Sequence, residues 1–513
     1  MRTRRLAAPL ALLATGSLVL SACSGGSGDD GGGEGGDLES LTFMSPYFSA
    51  TPPEDDDAVG AALDELTGVD MDVQWVPNAE YGERTNVVLA GDDIPDVMVI
   101  QGKDQSFVST AEAGGFWDLT EYLASGDYPN LVPENPEVQE AASVNGKVYG
   151  VYRARDVIRT CVIVRKDWLK NLGMEEPATT DDLMEVARAF TEDDPDGNGK
   201  DDTYGLIVPQ WPGGIGSSSP YDSIETWYGA GNVWKDDGGE LVPSFTTPEW
   251  RDAVEFEREI VENGYINPDY ATMDPATWNE PFLNGKGGII IDVQSRASQL
   301  AGLFKDEDPK TYDQKVALVD QLEGPNGKYT LPTEGYSGFL AVTKSGVKTE
   351  EQLKQVLEVL DTLNTAEGQN LITNGIEGDT YTVDDEGYLV VPEDQAEYQE
   401  QVAGSWAQLG MNVAGDKTYK AKPETKYDEE LADERLELQA KGLETAVFNP
   451  AAPIVSETSM TQGAQLGLIM ADARVQYLAG QIDDAGLDAA IQRWRESGGD
   501  AVIEEVNAKY EGR

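Results

Sequence analysis

The residues with the densest chemistry lie together in the loop Asp194-Pro-Asp196-Gly-Asn198-Gly-Lys200-Asp201-Asp202. Counting Asp194 as position 1, side-chain oxygens stand at positions 1, 3, 5 and 9, with glycines at 4 and 6. A hard cation collects six to eight oxygens, and glycine lets a short loop turn sharply enough to converge them. The expected ligands are Asp194, Asp196, Asn198 and Asp202 through their side chains and Lys200 through its backbone carbonyl. The expected cofactor is Ca²⁺ in a structural role, because three carboxylates this close repel one another unless a cation lies between them. Position 12 is Gly205, where a full EF-hand has a bidentate glutamate. The plain alternative is a solvated Asp/Asn/Gly turn.

Catalytic chemistry is sparse. The 513 residues include no histidine, which removes Ser-His-Asp and Cys-His catalysis and HExxH zinc sites together. Carboxylate-only chemistry survives that test. Ser345-Gly-Val-Lys348 spells SxxK but sits in a turn before a helix, and Gly229-Ala-Gly231 lacks the third glycine of a dinucleotide fingerprint. Cys161 lies in the apolar run Cys161-Val-Ile-Val164 and reads as a buried small side chain. Arg153, Arg155, Arg159 and Arg165 cluster in a chain of net charge -57. In an extended segment the first three share a face and could fork onto a carboxylate of a ligand. Internal pairing with the abundant Asp and Glu is the favoured reading.

The elements that hold these groups follow from periodicity. Thr179-Thr180 with Asp181 and Asp182 marks a helix start. Leu183, Val186, Ala187 and Phe190 then form one apolar stripe running into the acidic loop. Upstream, strands are expected at Leu41–Met44, Met71–Val76 and Val97–Ile100, with helices at Ala58–Leu66 and Tyr81–Leu89. Such alternation signals a mostly parallel sheet covered on both faces. Further strands are expected at Val148–Tyr152, Cys161–Val164, Gly287–Ile291 and Gly338–Val342, and a helix at Glu350–Leu363. The C-terminal third reads as helical, with stripes through Leu431, Leu436, Leu438 and Leu443 and through Leu466 to Leu478.

The N-terminus reads as an export segment. Arg2, Arg4 and Arg5 precede the apolar run Leu6–Leu20, and Leu20-Ser-Ala-Cys23 is a lipoprotein processing box. Residues 1–22 are the expected signal peptide, with acyl chains (palmitate) on Cys23. Residues 23–37 are the expected Gly/Ser/acidic tether. The strong negative charge argues against nucleic acid and against broad contact with anionic lipid, so membrane contact is expected through Cys23 only.

Several segments, taken in order, carry a resemblance. These are Pro95-Asp96 after a Gly-acidic turn, Asn145-Gly-Lys-Val-Tyr149-Gly150, Arg165-Lys-Asp-Trp168-Leu-x-x-Leu-Gly173 and the acidic loop. Gly264-Tyr-Ile-Asn-Pro-Asp269 and Phe282-x-Asn-Gly-Lys-x-Gly-Gly288 follow. The chain thereby resembles the family 1 extracellular solute-binding proteins, and within them the large lipoprotein branch of oligosaccharide ABC importers that includes alginate-oligosaccharide binders with a calcium loop. The resemblance implies an α/β, two-lobe periplasmic-binding-protein-like fold with a cleft between lobes and a helical C-terminal region. Residues 38–152 plus 333–378 are the expected first lobe, and 153–332 plus 379–513 the second. It implies a monomeric, lipid-anchored protein on the extracellular face of the cell membrane. Such a protein captures an oligosaccharide by lobe closure and passes it to permease subunits without catalysis. The rival class is a cell-surface carboxylate-based glycosidase or lyase.

Sugar recognition needs flat apolar faces for pyranose rings and planar polar groups for hydroxyl pairs, at strand ends and crossing loops. The candidates are Tyr47, Gln101, Tyr152, Arg153, Arg155, Trp211, Trp227, Asp292, Arg296, Glu334, Tyr336 and Trp406.

Overall fold

The computed structural model describes residues 38–510 except 55–56, 92, 133–134, 212–213, 400–403 and 412–416. The signal peptide, Cys23 and the tether lie outside the described residues. Two sheets organise the rest. Their strands are β1 (Ser40–Tyr47), β2 (Asp70–Pro77), β3 (Val97–Ile100), β4 (Val151–Ala154), β5 (Thr160–Arg165), β6 (Tyr204–Leu206), β7 (Gly287–Val293), β8 (Val316–Val319) and β9 (Tyr336–Val342). The first sheet has the order β2-β1-β3-β9-β4 and the second β8-β5-β7-β6.

The expectation of mostly parallel sheets is corrected, because both are mixed. In the first, β1 is parallel to β2 and β3, while β9 is antiparallel to β3 and to β4. In the second, β5 is antiparallel to β7 and β8, and only β6 and β7 are parallel. The route of the chain explains β9. Strands β1 to β4 all end at one edge of the sheet. The chain returns from the second sheet to that same edge, so β9 must run away from it.

Helices that shape the sites are α1 (Thr180–Glu192), α2 (Pro220–Trp227), α3 (Pro248–Glu262), α4 (Glu350–Leu363), α5 (Lys426–Leu443), α6 (Glu457–Leu478) and α7 (Asp500–Tyr510). The start of α1 is a capping box: Asp182 N donates to Thr179 Oγ1 and Thr179 N to an Asp182 oxygen. Its stripe Leu183, Val186, Ala187 and Phe190 is buried against the second sheet. Phe190 meets Trp168 edge-on at 5.2 Å and closes over Gly288, so removing its ring would cost about 3–5 kcal/mol. In α5, Leu431 and Leu438 are buried but Leu436 and Leu443 are exposed, so half of the expected stripe faces water.

One apolar cluster covers the first sheet, two cover the faces of the second, and a fourth joins α3, α6 and α7. Cys161 is a free, buried thiol within the second sheet, as its apolar run implied. One stretch departs from the expected division. Trp406, Leu409 and Met411 pack into the core of the first sheet, not the second. Trp406 fills a gap between α-helical Gly60 and Trp75, meeting the latter edge-on at 5.2 Å.

Candidate functional site

The edge at which β1 to β4 end and β9 begins faces a cleft of about 860 Å³. Ligands in open α/β sheets gather beyond the carboxyl ends of the strands, since that is where successive connections diverge. Phe48 follows β1, Asn78 follows β2, and Gln101 and Lys103 follow β3. Arg153 and Arg155 come from the end of β4, and Glu334 and Tyr336 from the start of β9. The pairing of β9 with β4 slips between Tyr336 and Phe339. Such a bulge re-aims side chains at a sheet edge. Gly338, at φ 114°, occupies it, and any side chain there would meet Ile100 O at 2.2 Å.

The opposite wall comes from the other half of the molecule. It includes Val233 and Trp234, the segment Asn449–Val455, the start of α6 and Val502 and Val506 of α7. The segment is held to the first half by Asn145 N, which donates to Pro453 O at 2.9 Å, and by Lys103 Nζ, which donates to Ala452 O. Sequence reasoning missed this wall. Phe448-Asn-Pro-Ala-Ala-Pro453 is legible as a loop between helices, but nothing local says where the loop lands.

The cleft is locally cationic. Arg153 is 5 % exposed; its Nη1 donates to Ser337 O at 3.3 Å, its Nη2 to Gln408 Oε1, and its Nε has no hydrogen-bond partner among the described residues. No carboxylate of the described residues pairs with it. Burial, with Arg155 nearby, brings its pKa down to about 10. Arg155 is displaced downward too, by burial and then by Arg159. Lys103 Nζ, held by backbone carbonyls, stands 5.9 Å from the Tyr336 ring centre. The only acidic side chain described on the cleft wall is Glu334. Gln101 lies open and donates to Asn78 Oδ1 at 2.7 Å, so two planar amides stand together on the wall.

Five of the expected residues therefore meet at the cleft: Gln101, Arg153, Arg155, Glu334 and Tyr336. The other seven are elsewhere. Tyr47 is half-buried at the end of β1 and Tyr152 is buried beside Phe339. Trp227 is fully buried in α2 and donates to Gln321 Oε1 at 2.8 Å. Asp292 and Arg296 pair with each other, and the guanidinium stacks 4.2 Å from Trp278. Trp406 is buried in the first sheet's core. Trp211 lines a second cavity of about 600 Å³. For Trp227, Asp292, Arg296 and Trp406 a tertiary partner has taken the group that the sequence left open. The same holds for Arg165, which forks onto Asp167 and stacks on Trp168 at 4.8 Å.

The acidic loop turns as its glycines require, with Gly197 at φ 69° and Gly199 at φ 76°. Asp194 itself has φ 49°, rare for a residue with a side chain. Its Oδ2 accepts from Gly199 N at 3.0 Å, while its Oδ1 is buried without a partner among the described residues. Asn198 Nδ2 donates to Asp196 at 2.6 Å and to Asp202 at 3.1 Å. Lys286 Nζ lies 2.6 Å from the other Asp202 oxygen and holds that carboxyl below its usual range. An amide and an ammonium thus occupy lone pairs that a cation would take. Among the described residues no three Asp, Glu, His or Cys side chains converge tightly enough to hold a metal. The orphaned Asp194 oxygen is the feature that fits one.

Two sheet-centred halves with a polar, aromatic-edged cleft at the strand ends of the first define a ligand-capturing α/β architecture. The chain belongs to the bacterial extracellular solute-binding proteins, whose family profile matches residues 50–370. It is 40 % identical over 511 residues to Lipoprotein LipO of Bacillus subtilis (strain 168), covering 100 % of this chain and 99 % of that one. It is 31 % identical over 497 residues to the polygalacturonan/rhamnogalacturonan-binding protein YtcQ of the same bacterium, covering 96 % of each. Among solved structures, an extracellular solute-binding protein from Bifidobacterium longum subsp. infantis shares the fold at a TM-score of 0.69. That match covers 92 % of this chain and 98 % of the other at 17 % identity. No helix among the described residues is long and apolar enough to cross a membrane.

Proposed function

We propose that this protein captures an oligosaccharide in the cleft between its two halves and delivers it unaltered to the permease of an ABC importer. In this reading it is held at the outer face of the membrane by a lipid on Cys23. The observation that carries the reading is the cleft itself. Its walls come from both halves, so a ligand that touches Gln101 and Arg153 on one side and Trp234 on the other stabilises closure through the second set of contacts. Paired-carboxylate hydrolysis needs two acids flanking the scissile bond, and the described wall offers Glu334. The ligand class that best matches Arg153 and Arg155 is an oligosaccharide bearing carboxylates, which a guanidinium binds through two parallel hydrogen bonds. The name of the relative YtcQ records such a polymer for that protein.

Titration calorimetry with oligogalacturonides and their carboxyl-reduced forms tests the reading, together with small-angle scattering and chromatography of the recovered sugar. Binding, a more compact scattering profile and intact sugar are expected. Cleaved sugar or an unchanged profile overturns it.

The Asp194–Asp202 loop belongs to the same proposal as a structural Ca²⁺ site. Asp194, Asp196, Asn198 and Asp202 would hold the ion through side chains and Lys200 through its carbonyl. The ion would neutralise carboxylates that otherwise repel, and the buried Asp194 oxygen supports this.

A further inference from the structure

The second cavity, of about 600 Å³, lies entirely in the second half of the molecule. We infer that it is a remote subsite that takes the far end of the same oligosaccharide, so that the natural ligand is a chain of several rings. This rests on the oligosaccharide reading above and extends it to ligand length.

The first argument is continuity. Ser456, Ser459 and Met460, at the start of α6, line the main cleft. Gly463, Ala464, Gly467, Ala471 and Arg474 line the second cavity. Met460, Gly463, Gly467, Ala471 and Arg474 follow one another at steps of three and four, along one helical face. The core-facing residues Leu466, Met470, Ala473 and Tyr477 form the adjoining stripe. From Ser456 to Arg474 the helix rises about 27 Å at 1.5 Å per residue. Ile215 lines the second cavity, Val233 lines the main cleft, and a Cβ on Gly216 would stand 2.3 Å from Val233. Only an elongated ligand can use both.

The second argument is chemistry. The small residues of α6 leave a floor on which a ring can lie flat. Trp211, half-buried, lines the same cavity; its Nε1 donates to Ser217 Oγ at 2.8 Å and its ring meets Trp278 edge-on at 5.9 Å, which fixes its plane. Arg474 is 3 % exposed and lines the cavity, and its Nε has no hydrogen-bond partner among the described residues. Its Nη1 is anchored on Asp222 at 3.0 Å and Glu225 at 2.9 Å, so the guanidinium is rigid. An aromatic plate and a fixed polar group are what a pyranose ring needs. This also gives Trp211 a ligand-facing place outside the main cleft.

The test uses the full soluble chain, ladders of oligogalacturonides and their carboxyl-reduced forms from dimer to octamer, and two variants. A Cβ at Gly467 meets nothing within 4 Å, and leucine favours helix over glycine, so Gly467→Leu fills the cavity without opposing the fold. Trp211→Ala removes the plate. In the wild type, affinity is expected to rise about tenfold or more from short to long members. In either variant that gain is expected to vanish while short members bind as before. Short members that bind with no gain from length, or a gain untouched by both variants, overturn the subsite alone. No binding by any member overturns it together with the reading on which it rests.

Discussion

Two arginines in this protein are almost equally buried and lie in opposite surroundings. Arg474 is 3 % exposed and donates to two carboxylates, Asp222 and Glu225, with Glu257 of α3 close behind. The acids raise its pKa in spite of burial. Arg153 is 5 % exposed, meets a carbonyl and an amide, and has its pKa brought down to about 10. The fold supplies the countercharge in one region and, among the described residues, none in the other. In a chain with 94 acidic residues against 37 basic ones, that second arrangement is the one on which the proposed carboxylate recognition rests. The acidic loop offers the reverse case, a buried Asp194 oxygen with no partner among the described residues.

The comparison breaks most visibly at Arg474. Arg474→Ala leaves Asp222, Glu225 and Glu257 buried without their cation and is expected to cost about 3–5 kcal/mol. Chemical denaturation measures this, and a loss below about 1 kcal/mol would dissolve the contrast. Chelation of Ca²⁺ is next. Were the ion at 100 times its Kd, its removal would cost about 2.7 kcal/mol and lower the melting temperature of the ligand-free protein. Asn198→Ala should weaken that response. Equal melting curves with and without chelator would place no ion in the loop.

Arg153→Met should leave stability nearly unchanged, because an unneutralised buried charge is lost with its side chain. Affinity for oligogalacturonides should drop by about 1.5–3 kcal/mol, while the reduced sugars are little affected. Equal effects on both ladders would separate Arg153 from charge recognition.

The smallest effect concerns pH. Burial raises Glu225 to about 7, against the pull of Arg474, and burial with Glu225 beside it pushes Glu257 well up. An acid whose folded-state pKa is raised adds stability that is fully present below its unfolded pKa, near 4.5, and is lost as pH climbs through the folded value. Stability should therefore fall by on the order of 1 kcal/mol between pH 6 and 8. Glu225→Gln should flatten that slope. A stability curve already flat across this range in the wild type would contradict it.

Much of this was legible in order along the chain. The α1 stripe, its capping box, the all-apolar β3 and the α4 boundaries all rest on local rules of period and capping, which tertiary contacts here reinforce. The strand ends were legible as well, and they delivered Gln101, Arg153, Arg155, Glu334 and Tyr336 to the cleft. Asp292 with Arg296, at the end of β7, ended in an ion pair with each other and not at the cleft. An aromatic or charged residue after a strand looks the same whether a core or a ligand completes it.

What the sequence determined by itself is therefore the set of elements, the acidic loop and the edge of the first sheet, because these depend on residues a few positions apart. Which arginine keeps a carboxylate was decided elsewhere. Arg474 meets Asp222 from 252 positions away, and the wall facing Arg153 arrives with Asn449–Val455. Only the packing of distant helices brings an acid to the first and withholds one from the second, and no local pattern encodes that choice.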